Sequence, residues 1–548
     1  MKSITVTVKE KEIIVMKGVK IRELIDQKEI IDNQYVAALL NTKVVSLNYS
    51  LKSSCNIEFL TPRNPQGHKI FMSSLTFLLF AAFYNVYPQV KIKISHSIGD
   101  SFYFYSTNSD INPEMIENVY KKMEEYVDQN LFIDVEFWDK DEAINYFKEK
   151  EDIYKLLFYS SSNSFIIVSI DGYSDISITP ISQYTGVLKP FKLVSYKDGF
   201  LLYFPPSKTF PLFRPYDEKS KLFNIYIENK QLMSAIGVDS VGRLNDAIVK
   251  REAIDVILIS ETQQLDRIMT IARKIVSQKD VKLVTIAGPS SSGKTTFSKK
   301  IMFSLRSLGI KAMAISLDDY FVDREKTPKD ENGEYDFECI EALDTDYFNQ
   351  NMIDLFAGKE VVLPLFDFIA GKRKEEGIHH RLSESEILII EGIHGLNPKL
   401  TYRLDKKYLF KIYISPLTQL NISSSIRIPT TRARLIRRMV RDFRYRGISA
   451  VETLARWDMV VRGEEKNIFP YQNNADMFFD SALIYEQSVL RTFAEPLLKS
   501  VPIESPYYTE ASILLDFILH FIPIPFDYVP NTSILREFIG SSLYIQNF

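Results

Sequence analysis

The feature that most constrains this chain is a glycine- and serine-rich loop between two predicted regular elements. Residues 288–295 read GPSSSGKT, which fits the pattern GxxxxGK[ST] without a mismatch. The β-branched run VKLVTIA precedes the loop, and a helix-like pattern follows it. Glycines allow successive backbone N–H groups to turn inward, and the following helix adds the positive end of its dipole. The order strand, loop, helix therefore predicts a site for the phosphates of a nucleoside triphosphate.

Each residue type in this loop has an expected role. The Lys294 side chain is expected to reach the outer phosphates, and the Thr295 hydroxyl is expected to coordinate Mg²⁺. The loop does not distinguish ATP from GTP. The predicted nucleotide-binding residues are Gly288, Pro289, Ser290, Ser291, Ser292, Gly293, Lys294, Thr295 and Thr296.

Carboxylates follow two other predicted strands at the points where those strands end. Asp318 and Asp319 follow KAMAIS, and Glu391 ends the run EILIIE. Ligands of parallel α/β sheets lie at such strand ends, so an aspartate there could accept the proton of an attacking hydroxyl. Glu391 could bind Mg²⁺, because a buried charge is costly without a cation or partner. Helix capping is the alternative for these carboxylates.

An arginine-rich segment follows further along the chain, with eight arginines between Arg427 and Arg446. Arg434, Arg437, Arg438 and Arg441 have i, i+3, i+4, i+7 spacing and are therefore predicted to share one helix face. Beside a triphosphate, such a face would suit a lid that neutralises charge during phosphoryl transfer.

Six motifs occur in one order between residue 281 and about residue 490: the P-loop, LDDYF, EYDFECIEALD, LPLFDFIAGKR, IIEGI and RLIRRMVRD. This stretch resembles the phosphoribulokinase/uridine kinase family. The resemblance implies a kinase that uses ATP and Mg²⁺ to phosphorylate a small hydroxyl compound, with a nucleoside 5′-hydroxyl as the leading acceptor.

The same resemblance implies roles for individual residues. Asp318 would be the general base, with Lys294, Arg441 and Arg446 as further catalytic residues. Thr295 and Glu391 would form the Mg²⁺ environment. The implied substrate-binding residues are Glu338, Phe366, Asp367, Phe368 and Arg373.

Three positions depart from the uridine kinase pattern, and one of them is Arg456, which aligns with a glutamine downstream of the lid. Gly371 stands where uridine kinases carry a histidine near the base, and Glu338 stands where the family carries an aspartate. Loss of a hydrogen-bonding group in a polar site can change selectivity by orders of magnitude. The acceptor could therefore be another nucleoside or a different small hydroxyl compound.

The first part of the chain resembles another class of protein. Residues 1–62, with ALLNTKVVSLNYSL, resemble the ubiquitin-like TGS module. The stretch that begins FMSSLTFLLFAAF resembles the second additional domain of threonyl-tRNA synthetases. In that family an HxxxH pair and a later Cys/His pair form an editing site, but here the HxxxH positions are Ser73 and Phe77. Loss of the editing chemistry is therefore expected, because these side chains cannot replace two imidazoles.

These observations predict an α/β fold class. A C-terminal P-loop kinase domain with a parallel sheet flanked by helices would follow a small ubiquitin-like α+β domain and an α+β synthetase-like domain. A short helix is predicted at residues 20–27 and a linker at 61–69. The predicted divisions are 1–62, 63–230, a helical connector at 231–280, the kinase domain at 281–499, and a C-terminal appendage at 500–548 without assigned chemistry.

Composition limits the remaining classes of function. The net charge of −3 over 548 residues excludes a polyanion binder that acts by bulk charge. The two cysteines cannot form a disulfide framework, and no Cys/His cluster has zinc spacing. The apolar runs at 75–83 and 513–524 are shorter than the ~20 residues of a membrane helix. We expect a soluble cytoplasmic protein without membrane partners, and its oligomeric state stays open.

A second hypothesis comes from a different class of function. The synthetase-like front half and the arginine cluster would also suit an RNA-binding, translation-linked regulator in which the P-loop controls RNA binding. Against it, the arginines lie within the order of the kinase motifs, and the front half is not notably basic.

Overall fold

The structure, a computed structural model, describes residues 3–149, 164–214, 233, 236–329, 333–418 and 420–545. By its internal contacts the chain forms two compact units. Unit 1 contains residues 1–219, 237–246 and 420–428, and unit 2 contains residues 220–236, 247–419 and 429–548. The predicted limit at residue 230 lies outside the described residues, and the other domain limits stay predictions.

Unit 1 begins with a small mixed sheet of the kind that the alternating sequence predicts. The strand order is β2-β1-β5-β3-β4, with β1 and β5 parallel and the other neighbours antiparallel. One face is buried, with Val6 and Ile57 in the core. The strands are β1 (Ser3–Val8), β2 (Lys11–Met16), β3 (Ala37–Leu40), β4 (Lys43–Val45) and β5 (Cys55–Leu60).

The helix predicted at residues 20–27 is wrong in its position. Ile21–Leu24 form a single 3-10 turn, and the α-helix α1 (Gln27–Asp32) begins after extended backbone at Ile25 and Asp26. The Asp26 carboxylate accepts a hydrogen bond from the Lys28 N–H at 2.9 Å. A carboxylate that caps a first turn in this way starts a new helix instead of continuing the previous one.

The linker predicted at residues 61–69 is also wrong, because its second half is the first turn of a long helix. Helix α2 (Pro65–Val86) begins with Pro65. Proline is tolerated there because the N–H groups of a first helical turn make no hydrogen bond within the helix. By length and composition α2 could cross a membrane, but 67% of its most apolar stretch is buried in the protein. A position in the core accounts for its apolar composition.

Two further sheets complete most of unit 1. One has the order β11-β12-β7-β6 and the other has the order β10-β9-β8. The elements are β6 (Ile92–Ser97), β7 (Ser101–Ser106), α3 (Pro113–Asp128), β8 (Asp134–Asp139), α4 (Lys140–Glu149), β9 (Ser164–Ile170), β10 (Tyr173–Ile176), β11 (Lys192–Tyr196) and β12 (Gly199–Tyr203).

Aromatic side chains connect α2 to the four-stranded sheet. The ring of Phe200 lies 5.4 Å from the ring of Phe83 on α2 and 5.4 Å from the ring of Phe104 on β7. All three side chains are almost completely buried. This stack therefore fixes the helix on the sheet.

Residues 420–428 return to unit 1 from late in the chain. The Ile94 N–H donates to Ser424 O at 2.9 Å, and the Ser425 hydroxyl donates to the Asp175 carboxylate at 2.7 Å. The Val241 N–H, at the start of α5 (Val241–Val249), donates to Asn421 O at 2.9 Å. A segment that the sequence places among the kinase motifs is therefore bonded into the synthetase-like unit.

The two segments compared with the editing site of threonyl-tRNA synthetases lie side by side. The Ser182 N–H donates to the Ser74 hydroxyl on α2 at 2.8 Å. Phe77 is 6% exposed, and its ring lies 5.7 Å from that of Tyr173. Among the described residues no three His, Cys, Asp or Glu side chains form a group that could hold a metal ion. At the second HxxxH position, Phe77 places a buried aromatic ring that cannot bind a metal ion. Loss of the editing chemistry stays a prediction.

Unit 2 is built on the parallel sheet that the sequence predicts, in the order β14-β19-β13-β20-β21. Helices alternate with its strands, so the fold class is α/β as expected. The elements are α6 (Ala253–Ser277), β13 (Leu283–Ala287), α7 (Lys294–Ser307), β14 (Lys311–Ser316), α8 (Thr345–Phe356), β15 (Glu360–Leu363), β16 (Phe366–Asp367), β17 (Lys372–Arg373), β18 (Ile378–Arg381), β19 (Glu386–Glu391), β20 (Leu409–Ser415), α9 (Thr430–Arg446), α10 (Ala450–Asn467) and β21 (Met477–Asp480).

The last part of the chain belongs to unit 2 by its contacts. Helices α11 (Glu486–Lys499) and α12 (Tyr508–Leu519) pack against each other, and the short helix α13 (Arg536–Ile539) packs against α9. Leu535 and Phe538 are fully buried. This region therefore contributes to the core of the P-loop unit.

The aromatic stack in unit 1 gives a prediction about stability. Phe200→Ala should lower the free energy of unfolding of this unit by about 3–5 kcal/mol, because it leaves a cavity between α2 and the sheet. Hydrogen exchange of the α2 amides measures this loss within one unit. The control is Phe137→Ala, since Phe137 is 75% exposed and its loss should change exchange little. Equal protection in both variants would contradict the packing described.

Candidate active site

The P-loop takes the geometry that its glycines allow. Gly293 adopts a left-handed backbone with φ of 85° immediately before α7. At Gly288, a side-chain Cβ would lie 2.0 Å from the Ile414 carbonyl oxygen, so only glycine fits against β20. The loop consequently runs close to the sheet and ends at the N-terminus of α7, where backbone N–H groups and the helix dipole favour an anion.

The predicted catalytic lysine and the predicted metal-binding threonine lie at the end of the loop. The Lys294 ammonium donates to the loop carbonyls of Gly288 at 2.9 Å and Pro289 at 3.1 Å. The Thr295 hydroxyl donates to Glu391 Oε1 at 3.0 Å. Thr295 and Glu391, the two residues expected to form the Mg²⁺ environment, are therefore in direct contact.

Strand register brings the predicted site residues together. Glu391 is in register with Ile286 of β13 on one side and with Ser316 of β14 on the other. Gly288 lies two residues after the first partner, and Asp318 lies two residues after the second. Three neighbouring strands thus end at the P-loop, the candidate metal ligand and the candidate base.

The electrostatics of these carboxyls follow from their surroundings. Desolvation raises the pKa of Glu391 to about 7, against the lowering effect of Lys294, with Asp318 raising it further. Desolvation likewise raises the pKa of Asp318 to about 6, and Lys294 again opposes the shift. The Asp318 side chain is exposed at the surface of the protein. The protein atoms around it nevertheless exclude enough water to disfavour its charged form. Both groups are therefore placed to exchange protons or bind a cation near neutral pH.

Asp319 has a different role from Asp318. Its Oδ1 accepts a hydrogen bond from the Phe366 N–H at 3.1 Å, which attaches the end of β14 to the predicted acceptor loop. Burial raises the pKa of Asp319, and this hydrogen bond opposes the rise.

The prediction that four arginines of α9 form one charged face toward a triphosphate is wrong for two of them. Arg434 and Arg437 are 2% and 0% exposed and form ion pairs with Glu464 and Glu486. Their remaining hydrogen bonds go to three carbonyl groups and to the Ser481 hydroxyl, because buried guanidinium groups need acceptors. The spacing correctly indicated a shared side of the helix, but that side is packed in the core.

The first buried arginine holds the P-loop through a carboxylate. Glu464 on α10 accepts a hydrogen bond from the Ser290 N–H at 2.8 Å, and it pairs with Arg434. Arg434 Nε donates to Ser290 O at 3.0 Å. Sequence reasoning missed Glu464, since one glutamate in a helix of mixed charge carries no distinguishing signal.

The second buried arginine connects the loop to β21 and α11. Arg437 donates to Ser481 O at 2.9 Å and to Ser291 O at 3.4 Å, and it pairs with Glu486. Two arginines one turn apart therefore bond two adjacent P-loop carbonyls. Their role in the structure is to fix the loop.

Arg438 and the two predicted lid arginines, Arg441 and Arg446, lie around one buried carboxylate. Arg438 lies 3.1 Å, Arg441 3.2 Å and Arg446 3.3 Å from the oxygens of Asp442, which is 0% exposed. Arg438 also donates to the Ser290 hydroxyl at 2.9 Å. Arg446 contributes to the electrostatics of Asp318. Asp442 was missed as well, although its spacing of four residues from both Arg438 and Arg446 was a usable signal.

The predicted acceptor loop is a small hairpin of β16 and β17. The ring of Phe366 lies 5.8 Å from that of Phe321 and 5.3 Å from that of Phe368, which is 58% exposed. Asp367 Oδ1 accepts hydrogen bonds from the N–H groups of Ile369 and Ala370, both at 2.9 Å. The aromatic rings are thus available for stacking, while Asp367 stabilises the turn.

Arg373, on the other strand of the hairpin, is held from several directions. It donates to Asp344 at 3.2 Å and to Phe321 O at 3.3 Å, and it lies 4.9 Å from the centre of the Tyr347 ring. Glu338 lies elsewhere, near Lys294 and Glu464. Desolvation and the Glu464 charge raise the pKa of Glu338, whereas Lys294 lowers it.

Gly371, which stands where uridine kinases carry a histidine, lies against Arg324. Gly371 has a φ of 67°, and a Cβ there would lie 2.7 Å from the guanidinium of Arg324. The Arg324 N–H donates to Gly371 O at 2.8 Å, and its guanidinium donates to Phe368 O at 2.9 Å. A histidine at this position would strain the backbone and require Arg324 to shift.

These residues fit Mg²⁺ and a triphosphate. The Thr295 and Glu391 oxygens are hard ligands, and Mg²⁺ usually takes only one or two protein ligands beside phosphates and water. Within the described part of the chain, Ser291 Oγ and Ser292 Oγ are buried without a hydrogen-bond partner. Unpaired hydroxyls beside inward N–H groups suit a phosphate, which offers many acceptors.

Comparison with known proteins agrees with this arrangement. Residues 283–485 match the model of the Phosphoribulokinase / Uridine kinase family. The match includes the P-loop, Asp318, Glu391 and α9, and the resemblance predicted from the motifs is confirmed.

The front half is similar to threonine–tRNA ligases, as predicted. The protein of Clostridium kluyveri is 30% identical over 191 residues, which are 34% of this chain and 30% of that protein. The protein of Ehrlichia chaffeensis is 26% identical over 189 residues, again 34% of this chain and 30% of the relative. The chain thus spans less than a third of the length of these relatives.

Solved structures of kinases are similar to part of the chain. A protein of Bacillus stearothermophilus described as a "possible uridine kinase" is 22% identical, with a TM-score of 0.27, over 39% of this chain and 98% of that chain. The D-glycerate 3-kinase of Cryptococcus neoformans is 14% identical, with a TM-score of 0.21, over 46% of this chain and 88% of that chain.

The buried pair of Arg437 and Glu486 gives a prediction. Arg437→Met should lower the free energy of unfolding of unit 2 by about 3–5 kcal/mol, because Glu486 would remain buried without its partner. Adding Glu486→Leu should restore much of this loss. Denaturant unfolding followed by hydrogen exchange of β13 amides measures both effects.

A surface ion pair provides the control for this prediction. Lys499 is 57% exposed and pairs with Glu495 on the same helix, so Lys499→Met should change the stability by less than about 1 kcal/mol. Similar losses in Arg437→Met and Lys499→Met would contradict a buried structural role for Arg437.

Proposed function

We propose that this chain is an ATP- and Mg²⁺-dependent kinase that transfers the γ-phosphate to the 5′-hydroxyl of a nucleoside. The observation that carries the proposal is the convergence of the P-loop, Glu391 and Asp318 at the ends of three adjacent parallel strands. Ligands of such sheets bind at these ends. The family match over residues 283–485 supports a phosphotransferase.

On the donor side, the P-loop N–H groups and the α7 dipole would hold the phosphates, and Lys294 would leave the loop carbonyls for the outer phosphates. Thr295 and Glu391 would hold Mg²⁺, which supplies positive charge to the phosphate oxygens when it is bound. Arg438, Arg441 and Arg446 would oppose the remaining negative charge. Little covalent chemistry is required of the protein, so positioning and electrostatics dominate.

On the acceptor side, Asp318 would take the proton of the nucleoside hydroxyl as its oxygen attacks the γ-phosphorus. The bond from this phosphorus to the β,γ-bridging oxygen then breaks, and ADP leaves. Phe366 and Phe368 would contact the base, with Arg373 holding their hairpin. Glu338, close to Lys294, would contact the sugar. Gly371 stands in place of the histidine of uridine kinases, with Arg324 beside it. Uridine and other nucleosides are therefore equally supported as acceptors.

Asp318→Asn provides the main test of this function. Asparagine keeps the shape of the side chain but cannot take the proton, so phosphorylation of the acceptor should fall by about 10²–10⁴-fold. ATP binding should change little. The measurement is ADP formation with ATP, Mg²⁺ and a panel of nucleosides. Asp319→Asn is the matched control, because Asp319 bonds to the hairpin backbone. If no nucleoside stimulates ADP formation, the nucleoside proposal fails.

The raised pKa of Asp318 predicts the pH dependence of the proposed reaction. A base must be unprotonated, and burial raises the pKa of this carboxyl to about 6. The value of kcat/KM for the acceptor should therefore be nearly constant above pH ~7 and fall about tenfold per unit below pH ~6. A profile that stays flat to pH ~4.5 would indicate that a carboxyl with an ordinary pKa, or no base, acts in this step.

The synthetase-like front half supports a second candidate. A chain with 30% identity to a threonine–tRNA ligase over 191 residues could bind RNA and act as a translation-linked P-loop regulator. In that case tRNA should bind with an affinity that falls steeply with salt. Absence of binding at low salt would exclude this candidate. A cytoplasmic location is expected for either function.

A further inference from the structure

The C-terminal segment, residues 526–540, reaches the P-loop and places a carboxylate on it. Glu537 in α13 accepts two hydrogen bonds through Oε2, from the Thr296 N–H at 3.1 Å and from the Thr296 hydroxyl at 2.8 Å. Thr296 is fully buried, and Glu537 is 6% exposed. The contact joins residues 241 positions apart, so it comes from the fold and not from local chain geometry.

The donors that Glu537 engages belong to the phosphate site. Thr296 directly follows the P-loop lysine and Thr295, and its N–H lies in the first turn of α7. N–H groups of this turn have no partner within the helix and are the ones a P-loop directs at phosphate oxygens. A carboxylate oxygen on the same donors takes the position of a phosphate oxygen. Two anions cannot share these donors, because their repulsion is strong where water is excluded.

Packing around the loop reinforces the contact. A Cβ at Gly293 would lie 2.7 Å from Ile534 Cγ2, so the C-terminal segment touches the turn that precedes α7. Glu464 holds the Ser290 N–H at the other end of the loop. Among the described residues, the buried hydroxyls of Ser291 and Ser292, between these two ends, have no partner. Glu464 and Glu537 thus accept hydrogen bonds on either side of the middle of the loop. In the middle, the hydroxyls of Ser291 and Ser292 remain free to donate.

The segment is held on the P-loop unit by contacts of its own side chains. Arg536 donates to Phe526 O at 3.1 Å within the segment, and the ring of Phe538 lies 5.0 Å from the Arg437 guanidinium. Helix α13 has only four residues, and so short a helix has little stability of its own. Its position therefore depends on its contacts with α9 and the P-loop.

We propose that Glu537 is an internal competitor of the donor nucleotide, which occupies the Thr296 donors in the free protein and withdraws when a triphosphate binds. The C-terminal segment is then a gate on the donor site. This inference rests on the proposed function for its ligand, a nucleoside triphosphate. It gives the last part of the chain, which has no assigned chemistry in the sequence, a role in controlling nucleotide affinity.

Glu537→Gln in the full-length protein tests the gate. Glutamine keeps the size of the side chain and removes the negative charge, so Mg²⁺·ATP should bind about tenfold more tightly, within the usual range of coupling between sites. Isothermal titration calorimetry measures the dissociation constant. The matched control is Asp527→Asn, which removes one negative charge from an exposed position of the same segment and should leave the constant unchanged. Unchanged or weaker ATP binding in Glu537→Gln overturns the gate.

A second measurement does not depend on any variant. In the unsubstituted protein, addition of Mg²⁺·ATP should speed hydrogen exchange of the amides of Arg536–Ile539, because nucleotide binding displaces this helix from Thr296. Slower or unchanged exchange at these amides, with ATP bound, would show that Glu537 stays in place and supports the nucleotide site. Either of these results contradicts the gate.

These experiments also separate the gate from the proposed function. Both measure nucleotide binding and need no acceptor. If Glu537→Gln binds ATP more tightly but no nucleoside is phosphorylated, the gate stands and the nucleoside kinase proposal fails. If nucleosides are phosphorylated and Glu537→Gln binds ATP like the unsubstituted protein, the gate alone fails. ATP that binds neither protein contradicts both.

Discussion

The candidate active site depends on the two buried ion pairs that hold the P-loop from behind. Arg434 with Glu464, and Arg437 with Glu486, are almost completely removed from water. Such pairs add little net stability, since desolvation offsets their attraction. Their value here is geometric: each arginine also bonds a P-loop carbonyl, and Glu464 bonds a P-loop N–H. The loop therefore has its shape before any phosphate arrives, which preorganised electrostatic catalysis requires.

Helix α9 consequently serves two purposes. Arg434 and Arg437 fix the loop, while Arg438, Arg441 and Arg446 surround Asp442. Three positive charges against one negative charge leave a local excess of two, held in place by a carboxylate that solvent does not reach. An arrangement of this kind orients guanidinium groups without neutralising them. In the proposed reaction, that excess would face charge that develops on the transferring phosphoryl group.

Sequence reasoning found what is encoded locally. The P-loop, the parallel strands and the carboxylates at their ends follow from short patterns, and strand register then brings Glu391 beside the loop and Asp318. It failed where long-range packing decides the result. The spacing of Arg434 and Arg437 showed that they share a side of α9, but only the fold shows that this side is buried. Glu464 and Glu537 have no local signal for their P-loop contacts, because Ser290 and Thr296 lie more than 170 positions away from them.

The charge balance of the site bears on the form in which the proposed nucleotide would bind. Burial raises the pKa of Asp318, Glu338 and Glu391, and Lys294 lowers the pKa of each. Arg446 also lowers the pKa of Asp318, and Arg438 also lowers that of Glu338. A triphosphate would add several more negative charges beside these three carboxyls. Because interactions between charges strengthen as water is excluded, a nucleotide alone would meet strong repulsion there. A nucleotide that carries Mg²⁺ onto Thr295 and Glu391 brings the compensating charge with it, so the acidic surroundings favour the metal complex over the free triphosphate.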